Sequence, residues 1–264
     1  MAAHYPDLLW QAELQRGRLA QRLSQALSLL NKALPDRGRL LDIGCATGDF
    51  ILAAEKTGWT TVGLEVSARQ VRAGVERGAN VALCQDFLSY PTEATFDAVT
   101  FNHVLEHVPS PSAYLRRARQ VLKPGGLVLI SVPTYDSLSR RLFGPYWTHL
   151  DLPRHLFHFS AHTLRLLVER AGFRVLDLTF DCHEENALGV RDSLRRALTY
   201  GLARKSLNSR IEGRAQTDHA HGNGAQSAVT FLYRTFGDVG ASATEMLRIA
   251  DTFIMTATTL SELS

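Results

Sequence analysis

Apolar residues change their spacing along this chain, and each change marks an element. From about Asp7 to Leu34, the positions Leu8, Leu19, Leu23, Ala26, Leu27, Leu30 and Leu34 largely recur every three or four residues, with arginines and glutamines between them. That period predicts an amphipathic helix, stopped by Pro35. Short apolar runs then alternate with helical patterns: "RLLDIG" and "DFILAAEKTG", "TTVGLEV" and "SARQVRAGVERG", "NVALCQDF", "FDAVTFNHVLEHV" and "PSAYLRRARQVLKPGG", then "LVLISVP". Strand–helix alternation of this kind predicts a doubly wound α/β fold, a parallel sheet covered on both faces.

Beyond Pro133 the rhythm is lost in "TYDSLSRRLFGPYWTHLDLPRHLFHFS", which is rich in aromatics, histidines and prolines. It returns as a helix, "AHTLRLLVERAGF", and a strand, "FRVLDLTF". Residues 181–250 read as a helical and loop insertion before a last strand at 251–259, "DTFIMTAT". The domain reading is therefore one domain over 1–264. It comprises an N-terminal helical segment (1–36), a core (38–180), the insertion (181–250) and the closing strand.

Composition narrows the class. A formal charge of +3 on 264 residues argues by itself for neither nucleic acid nor a membrane surface. Three cysteines, Cys45, Cys84 and Cys182, share no C-x-x-C spacing, so a disulfide framework and a structural zinc site are both disfavoured. The N-terminus lacks a basic region followed by an apolar core, and no run reaches the eighteen or so apolar residues of a membrane span. A cytoplasmic protein is the expectation.

The chemistry starts in "LLDIGCATGDF". Gly44, Ala46 and Gly48 follow the first strand closely, where a tight turn and a helix N-terminus face the crevice of a doubly wound sheet; small residues there let a ligand approach the main chain. Glu65 ends the second strand, about twenty residues past the first glycine, where a carboxylate accepts both ribose hydroxyls. Asp86, beside Phe87, ends the third, suited to an adenine amino group and ring face. A dinucleotide would want G-x-G-x-x-G and a free anion site. Here the spacing is Gly44-Cys-Ala-Thr-Gly48 with Asp42 just before it, and an acid beside the ligand suits an ammonium better than a diphosphate.

"LLDIGCATGDF", "VGLEVS", "CQDF", "FDAVTFNHVLEHVPSP" and "LKPGGLVLISVP" together resemble, in order and spacing, the motifs of class I S-adenosylmethionine-dependent methyltransferases, over roughly residues 38 to 180. The resemblance implies a Rossmann-like, mostly parallel seven-stranded sheet with an antiparallel last strand, and S-adenosylmethionine as cofactor. It places Asp42 and Gly44 at the methionine end, Glu65 at the ribose, and Asp86 and Phe87 at the adenine, with Cys45, Ala46, Gly48 and Val66 also among the expected cofactor-binding residues. Asn102 and His103 line the crevice after the fourth strand. Ala46 stands where the family usually has glycine.

Two segments fall at the reacting end. "NHVLEHV" spells H-x-x-E-H through His103, Glu106 and His107, a helical zinc signature in one protease group, but its place after a fourth parallel strand argues against that chemistry. It also resembles the E-x-x-E-H segment that supplies divalent-metal ligands in ubiquinone-biosynthesis O-methyltransferases and small-RNA 3′-end methyltransferases, with His103 in place of the first glutamate. Read as a helix, it puts His103 and His107 on one face with Glu106 adjacent, open to structural hydrogen bonding, to acid–base work, or to metal binding in which a later histidine converges with them on one ion; no metal is assigned. "WTHLDLPRHLFHFS", with Trp147, His149, Asp151, Arg154, His155 and His158, follows the fifth strand and resembles a loop of bacterial small-molecule methyltransferases. His155 is the candidate general base, with His158 and His107 as further catalytic candidates.

The expected activity is transfer of a methyl group to a small-molecule acceptor, with oxygen the favoured atom. An RNA methyltransferase and a non-catalytic S-adenosylmethionine-binding protein are the alternatives. The arginine-rich patterns "YLRRARQVLK" and "RDSLRRALTYGLARK" read first as solvated faces, the second as a lid helix, with peripheral membrane contact as its alternative.

Overall fold

The computed structural model describes residues 18–90, 96–181, 192–199 and 252–259. The rest of the expected N-terminal helix and most of the expected 181–250 insertion, with Cys182, lie outside the described residues. Two compact units are present: Met1–Thr134, Leu152–Asp181 and Thr252–Ser264 form one, and Tyr135–Asp151 with Cys182–Asp251 the other. The segment after the fifth strand thus groups with the insertion.

The first unit carries α1 (Arg18–Ala33), β1 (Gly38–Ile43), α2 (Asp49–Glu55), β2 (Trp59–Glu65), α3 (Ala68–Glu76), β3 (Val81–Leu83) and β4 (Phe96–Asn102). Next come α4 (Pro111–Val121), β5 (Leu122–Pro133) and, after the segment of the other unit that holds α5 (Leu138–Phe143), α6 (Ala161–Arg170) and β6 (Phe173–Asp181). The final strand is β7 (Thr252–Thr259). Strand order is β3-β2-β1-β4-β5-β7-β6, with β7 antiparallel to both neighbours and parallel pairing from β3 to β5. This is the seven-stranded, doubly wound sheet expected from the motifs.

Alternation along each strand explains why its runs are continuously apolar. Leu40, Ala98, Leu127 and Leu129 pack with Leu23, Leu27 and Leu30 of α1 and Phe50 of α2. Their neighbours Leu41, Val99, Val128 and Ile130 face the opposite layer, where Leu115 and Val121 of α4 and Leu164 and Val168 of α6 cover them. Both faces of the central strands are therefore buried, which removes the polar half of a strand pattern. On α4, Arg116 and Arg119 are exposed, while Arg117 is half-buried and donates to Tyr90 O at 2.7 Å. Two of those arginines thus face solvent and the third packs against the chain.

Two local expectations change. "NHVLEHV" is not a helix: residues 103–109 form a turn, with one backbone hydrogen bond from His107 N to Val104 O, and His103 sits at φ 54°. A left-handed residue cannot lie within a right-handed helix, and Pro109 disfavours helical backbone at Val108. The helix starts only at Pro111, a position that tolerates the missing N–H. In addition, "LKPGG" belongs to β5 as a bulge: Phe96 pairs with Leu122 and Ala98 with Leu127, so Lys123–Gly126 loop out between them.

In the second unit, Ser137 Oγ caps α5, and residues 192–199 form a helix, α7. Ser193 Oγ of α7 accepts from Thr148 N at 2.8 Å. Trp147 and His149, their ring centroids 5.5 Å apart, belong to this unit, whereas Arg154, His155 and His158 belong to the first.

Candidate active site

The chain winds from β1 to β2 and β3 in one direction and crosses to β4 in the other, so the crevice opens at the carboxyl ends of β1 and β4. Asp42, on β1, is buried there. Thr100 Oγ1 of β4 donates to its Oδ1 at 2.5 Å, and Asn102 Nδ2 reaches the same oxygen at 3.3 Å. Burial pushes the carboxyl up, these two hydrogen bonds partly offset that, and the nearby Glu65 charge adds to it, giving a pKa of about 7.

The glycine turn spends its amides internally. Gly44 N and Cys45 N both donate to Leu64 O, at 2.8 and 3.2 Å, and Gly48 N donates to Cys45 O at 2.9 Å. Ala46 N donates to Glu65 Oε2 at 3.0 Å, while Glu65 Oε1 accepts from Ser67 N at 2.8 Å. An anion nest needs amides aimed outward; in this turn those four are used, and two carboxylates stand beside them. Recognition of a ligand therefore falls to acceptors, which suits a cationic, hydroxyl-rich molecule.

The glycines are also required for a different reason from the one expected. A Cβ at Gly44 would lie 2.6 Å from Val104 Cγ2, and one at Gly48 2.5 Å from Ala79 Cβ, with both backbones in the left-handed region at φ 69° and 78°. Protein packing by itself therefore excludes a side chain at both positions. Ala46 shares the left-handed region at φ 50° without being glycine. A left-handed alanine costs about 1–2 kcal/mol, while glycine costs about 0.4–1 kcal/mol in unfolded-chain entropy. Ala46→Gly is accordingly expected to stabilise the protein by about 0.5–1 kcal/mol, read as a raised denaturant midpoint at unchanged slope.

Along the crevice, Val66 is exposed, and its carbonyl meets Gln85 Nε2 at 3.5 Å. Asp86 does not end a strand, because β3 stops at Leu83. It caps the 3₁₀ turn Phe87–Ser89 instead, its Oδ1 accepting from Leu88 N at 3.0 Å and from Tyr114 Oη at 3.1 Å. The Phe87 ring points away from the crevice into the core, with centroids 6.2 Å from Phe101 and 5.8 Å from Tyr114. A ring packed edge-on in the core does not offer its face to adenine, which corrects that expectation. Burial, with the Asp42 and Glu65 charges, pushes the Cys45 thiol well above its usual range, so it is no thiolate nucleophile.

Past β4, His103 N donates to Ser131 O at 2.9 Å, and His103 Nδ1 donates to Glu106 Oε1 at 3.2 Å. Glu106 is buried; burial alone would raise its pKa, but the His103 hydrogen bond and the two histidine charges outweigh that and hold it below the usual carboxylate range. Glu106 O accepts from Leu156 N at 2.7 Å and Phe157 N at 3.2 Å. These bonds latch the "PRHLFHFS" loop onto the "NHVLEHV" turn. His107 Nδ1 donates to Arg154 O at 3.0 Å, which leaves the lone pair of the neutral ring on Nε2. His155 is buried, with its ring centroid 4.7 Å from that of His107 and 6.1 Å from that of His158.

The structure therefore gathers His107, His155, His158 and Glu106, which the sequence placed in two separate segments. The ligand atoms of Glu106, His107 and His155 lie within 4.8 Å of one another, and Glu106 Oε2 is buried without a hydrogen-bond partner. Among the described residues this set could hold a divalent ion: His107 and a later histidine, His155, come together as the metal alternative requires, with Glu106 rather than His103 as the third member. Glu106 lacked a signal of its own in the sequence reading beyond its place in the motif.

A methyltransferase-domain family model matches residues 12–178. The ubiquinone biosynthesis O-methyltransferase of Cereibacter sphaeroides (strain KD131 / KCTC 12085) is 30% identical over 161 residues, covering 56% of this chain and 65% of that one. The protein of the same name from Xanthomonas axonopodis pv. citri (strain 306) is 26% identical over 180 residues, 63% of this chain and 75% of that one. The match to the first of these curated relatives thus spans just under two thirds of its length. Among solved structures, a SAM-dependent methyltransferase from Archaeoglobus fulgidus superposes with a TM-score of 0.57 at 19% identity, over 96% of this chain and 99% of that one, which shows the fold. Because the family match runs over most of the chain and through every strand that bounds the crevice, this chain belongs to the methyltransferase-domain family, the class I S-adenosylmethionine-dependent methyltransferases.

Proposed function

We propose that the chain transfers the methyl group of S-adenosylmethionine to a hydroxyl of a small molecule. The observation that carries this reading is the acceptor-lined crevice: Asp42, Glu65 and Asp86 follow one another across β1, β2 and the turn after β3, while the glycine-turn amides are internally paired. The cofactor supplies an activated methyl, whose carbon–sulfur bond breaks with its electron pair going to sulfur as the acceptor oxygen bonds to carbon. Asp42 meets the cofactor's ammonium, Glu65 its ribose hydroxyls, and Asp86 its adenine amino group. Turnover with oxygen also requires removal of the hydroxyl proton, which His155 accepts; His107 and His158 flank its ring. The relatives' name, an O-methyltransferase of ubiquinone biosynthesis, supports oxygen as the acceptor atom.

Purified protein incubated with isotopically labelled cofactor and a cell extract should yield a labelled small molecule by mass spectrometry. Label found in RNA, or in nothing despite cofactor binding, would overturn the reading. Glu65 gives a sharper check at the cofactor. Both its oxygens already accept backbone N–H groups, so Glu65→Gln turns an NH2 toward one of those donors. Cofactor affinity should fall by about 1.5–3 kcal/mol, and calorimetry showing wild-type affinity would remove Glu65 from the site.

A second reading is favoured by the Glu106, His107 and His155 cluster and the unpartnered Glu106 oxygen. In it these three side chains would hold a divalent ion, which would supply Lewis-acid activation of the acceptor hydroxyl, while the Arg154 carbonyl fixes the His107 tautomer.

A further inference from the structure

The turn is left-handed on both sides of Thr47, at Gly48 (φ 78°), where glycine allows it freely, and at Ala46 (φ 50°), where a side chain makes it strained. A non-glycine residue stays in the left-handed region only where its surroundings hold it there. One restraint is the Glu65 carboxylate on Ala46 N. A second comes from outside every motif that the sequence reading singled out. Arg77 caps the C-terminus of α3, and its guanidinium reaches back to the turn: Nη1 donates to Thr47 O at 3.3 Å and to Thr47 Oγ1 at 3.2 Å, and Nη2 pairs with Asp49 Oδ1 at 2.5 Å. Thr47 Oγ1 in turn donates to Asp49 Oδ2 at 2.7 Å, closing a ring of contacts among the three residues. The helix itself presses on the same point, since a Cβ at Gly74 would lie 3.2 Å from Thr47 O.

We propose that Arg77 is a positioning residue for the cofactor: its fork on Thr47 and Asp49, together with Glu65 at Ala46, clamps the Cys45–Gly48 turn in its binding shape. The proposal rests on the reading of that turn as the cofactor cradle. Geometry favours a fork over a plain charge. A guanidinium offers donors in a fixed plane, so one side chain holds a carbonyl, a hydroxyl and a carboxylate at once, which an ammonium on a flexible stem does not reproduce. Both ends of α3 thereby bear on the crevice, because its N-cap, Ser67, donates its N–H to Glu65 and its C-cap is Arg77.

The natural control is the ion pair of Lys123 Nζ with Asp97 Oδ1, 2.8 Å apart. It is similarly half-exposed, with side chains 44% and 21% accessible against 41% and 12% for Arg77 and Asp49. It joins the amino-terminal ends of β1, β4 and β5 through Arg39 N, away from the crevice. Calorimetry with S-adenosylmethionine and its demethylated product on the full chain should show a Kd about tenfold higher for Arg77→Ala, with only partial recovery in Arg77→Lys. Lys123→Ala should leave Kd unchanged whatever its melting temperature does. In turnover, Arg77→Ala should raise the cofactor KM while kcat at saturating cofactor stays near wild type. If Arg77→Ala fails to fold, Arg77→Lys and Asp49→Asn carry the same comparison. Wild-type binding with Kd in the folded Arg77 variants within twofold of it, or an equal loss in Lys123→Ala, overturns the proposal alone. Failure of the wild type to bind the cofactor overturns the cradle reading and the proposal with it.

Discussion

Replacing His155 by alanine is expected to lower turnover by about a hundredfold to ten-thousandfold, with cofactor affinity little changed, because general-base assistance acts only on the reacting proton. That expectation follows from the role proposed for His155. The residue is 6% exposed, lies against His107, and sits on a loop pinned to Glu106 O through Leu156 N and Phe157 N. A purely structural histidine gives a different signature, a lowered melting temperature and a raised acceptor KM before any loss of kcat. A metal ligand gives a third. Chelators then mimic the substitution, divalent ions restore the treated wild type, and Glu106→Gln and His107→Ala lose activity in parallel with bound metal. Turnover, melting temperature and metal content measured on the same preparations separate the three, and wild-type turnover in a stable, metal-free His155→Ala protein would take the residue out of the mechanism.

The second large effect belongs to Asp42 and depends on pH. Its carboxyl titrates near pH 7 in the folded chain against an ordinary value of 3.8, chiefly through burial. An acid whose folded pKa is raised contributes stability that is fully present below the unfolded value and is lost as pH rises through the folded one. About three pH units of displacement correspond to roughly 4 kcal/mol, so the protein should lose stability between about pH 4 and pH 7. Asp42→Asn should recover most of that amount at pH 8 and almost none at pH 4, as read from urea melts at both. Cofactor binding runs the other way. Because an ammonium favours the ionised carboxylate, affinity should climb by up to about tenfold per pH unit toward pH 7 and flatten above it, and Asp42→Asn should bind weakly with no such slope. Equal affinity at pH 5.5 and pH 8 in the wild type would break the link between Asp42 and the ammonium.

These two sites differ in how they could be found. The position of Asp42 was legible because its neighbours in sequence are its neighbours in space: an apolar run, an acid and a glycine turn form one strand-to-turn unit, and parallel strands buried on both faces advertise themselves as unbroken apolar runs. The turn's small residues were legible too, though their cause was not. Val104 and Ala79, which fill the space beside Gly44 and Gly48, come from elements 60 and 31 residues further on. The helical reading of "NHVLEHV" failed because local periodicity competed with a left-handed His103, tied to Ser131 O of β5, and with Pro109. Tertiary pairing settled the backbone there.

By itself, then, the sequence determined the parallel order of alternating strands and helices, and an acid on or shortly after each of the first three strands, because those follow from hydrophobic periodicity and short-range turn chemistry. Only the tertiary structure decided which side chains meet. Glu106, His107 and His155 converge because a carbonyl in one turn accepts two amides about fifty residues away, Phe87 turns inward because Phe101 and Tyr114 offer it a core, and Arg77 reaches Thr47 because α3 packs against the turn that precedes α2. Such contacts depend on distances through space that no local spacing encodes, since a chain's side-chain neighbours across a sheet are set by how its layers pack.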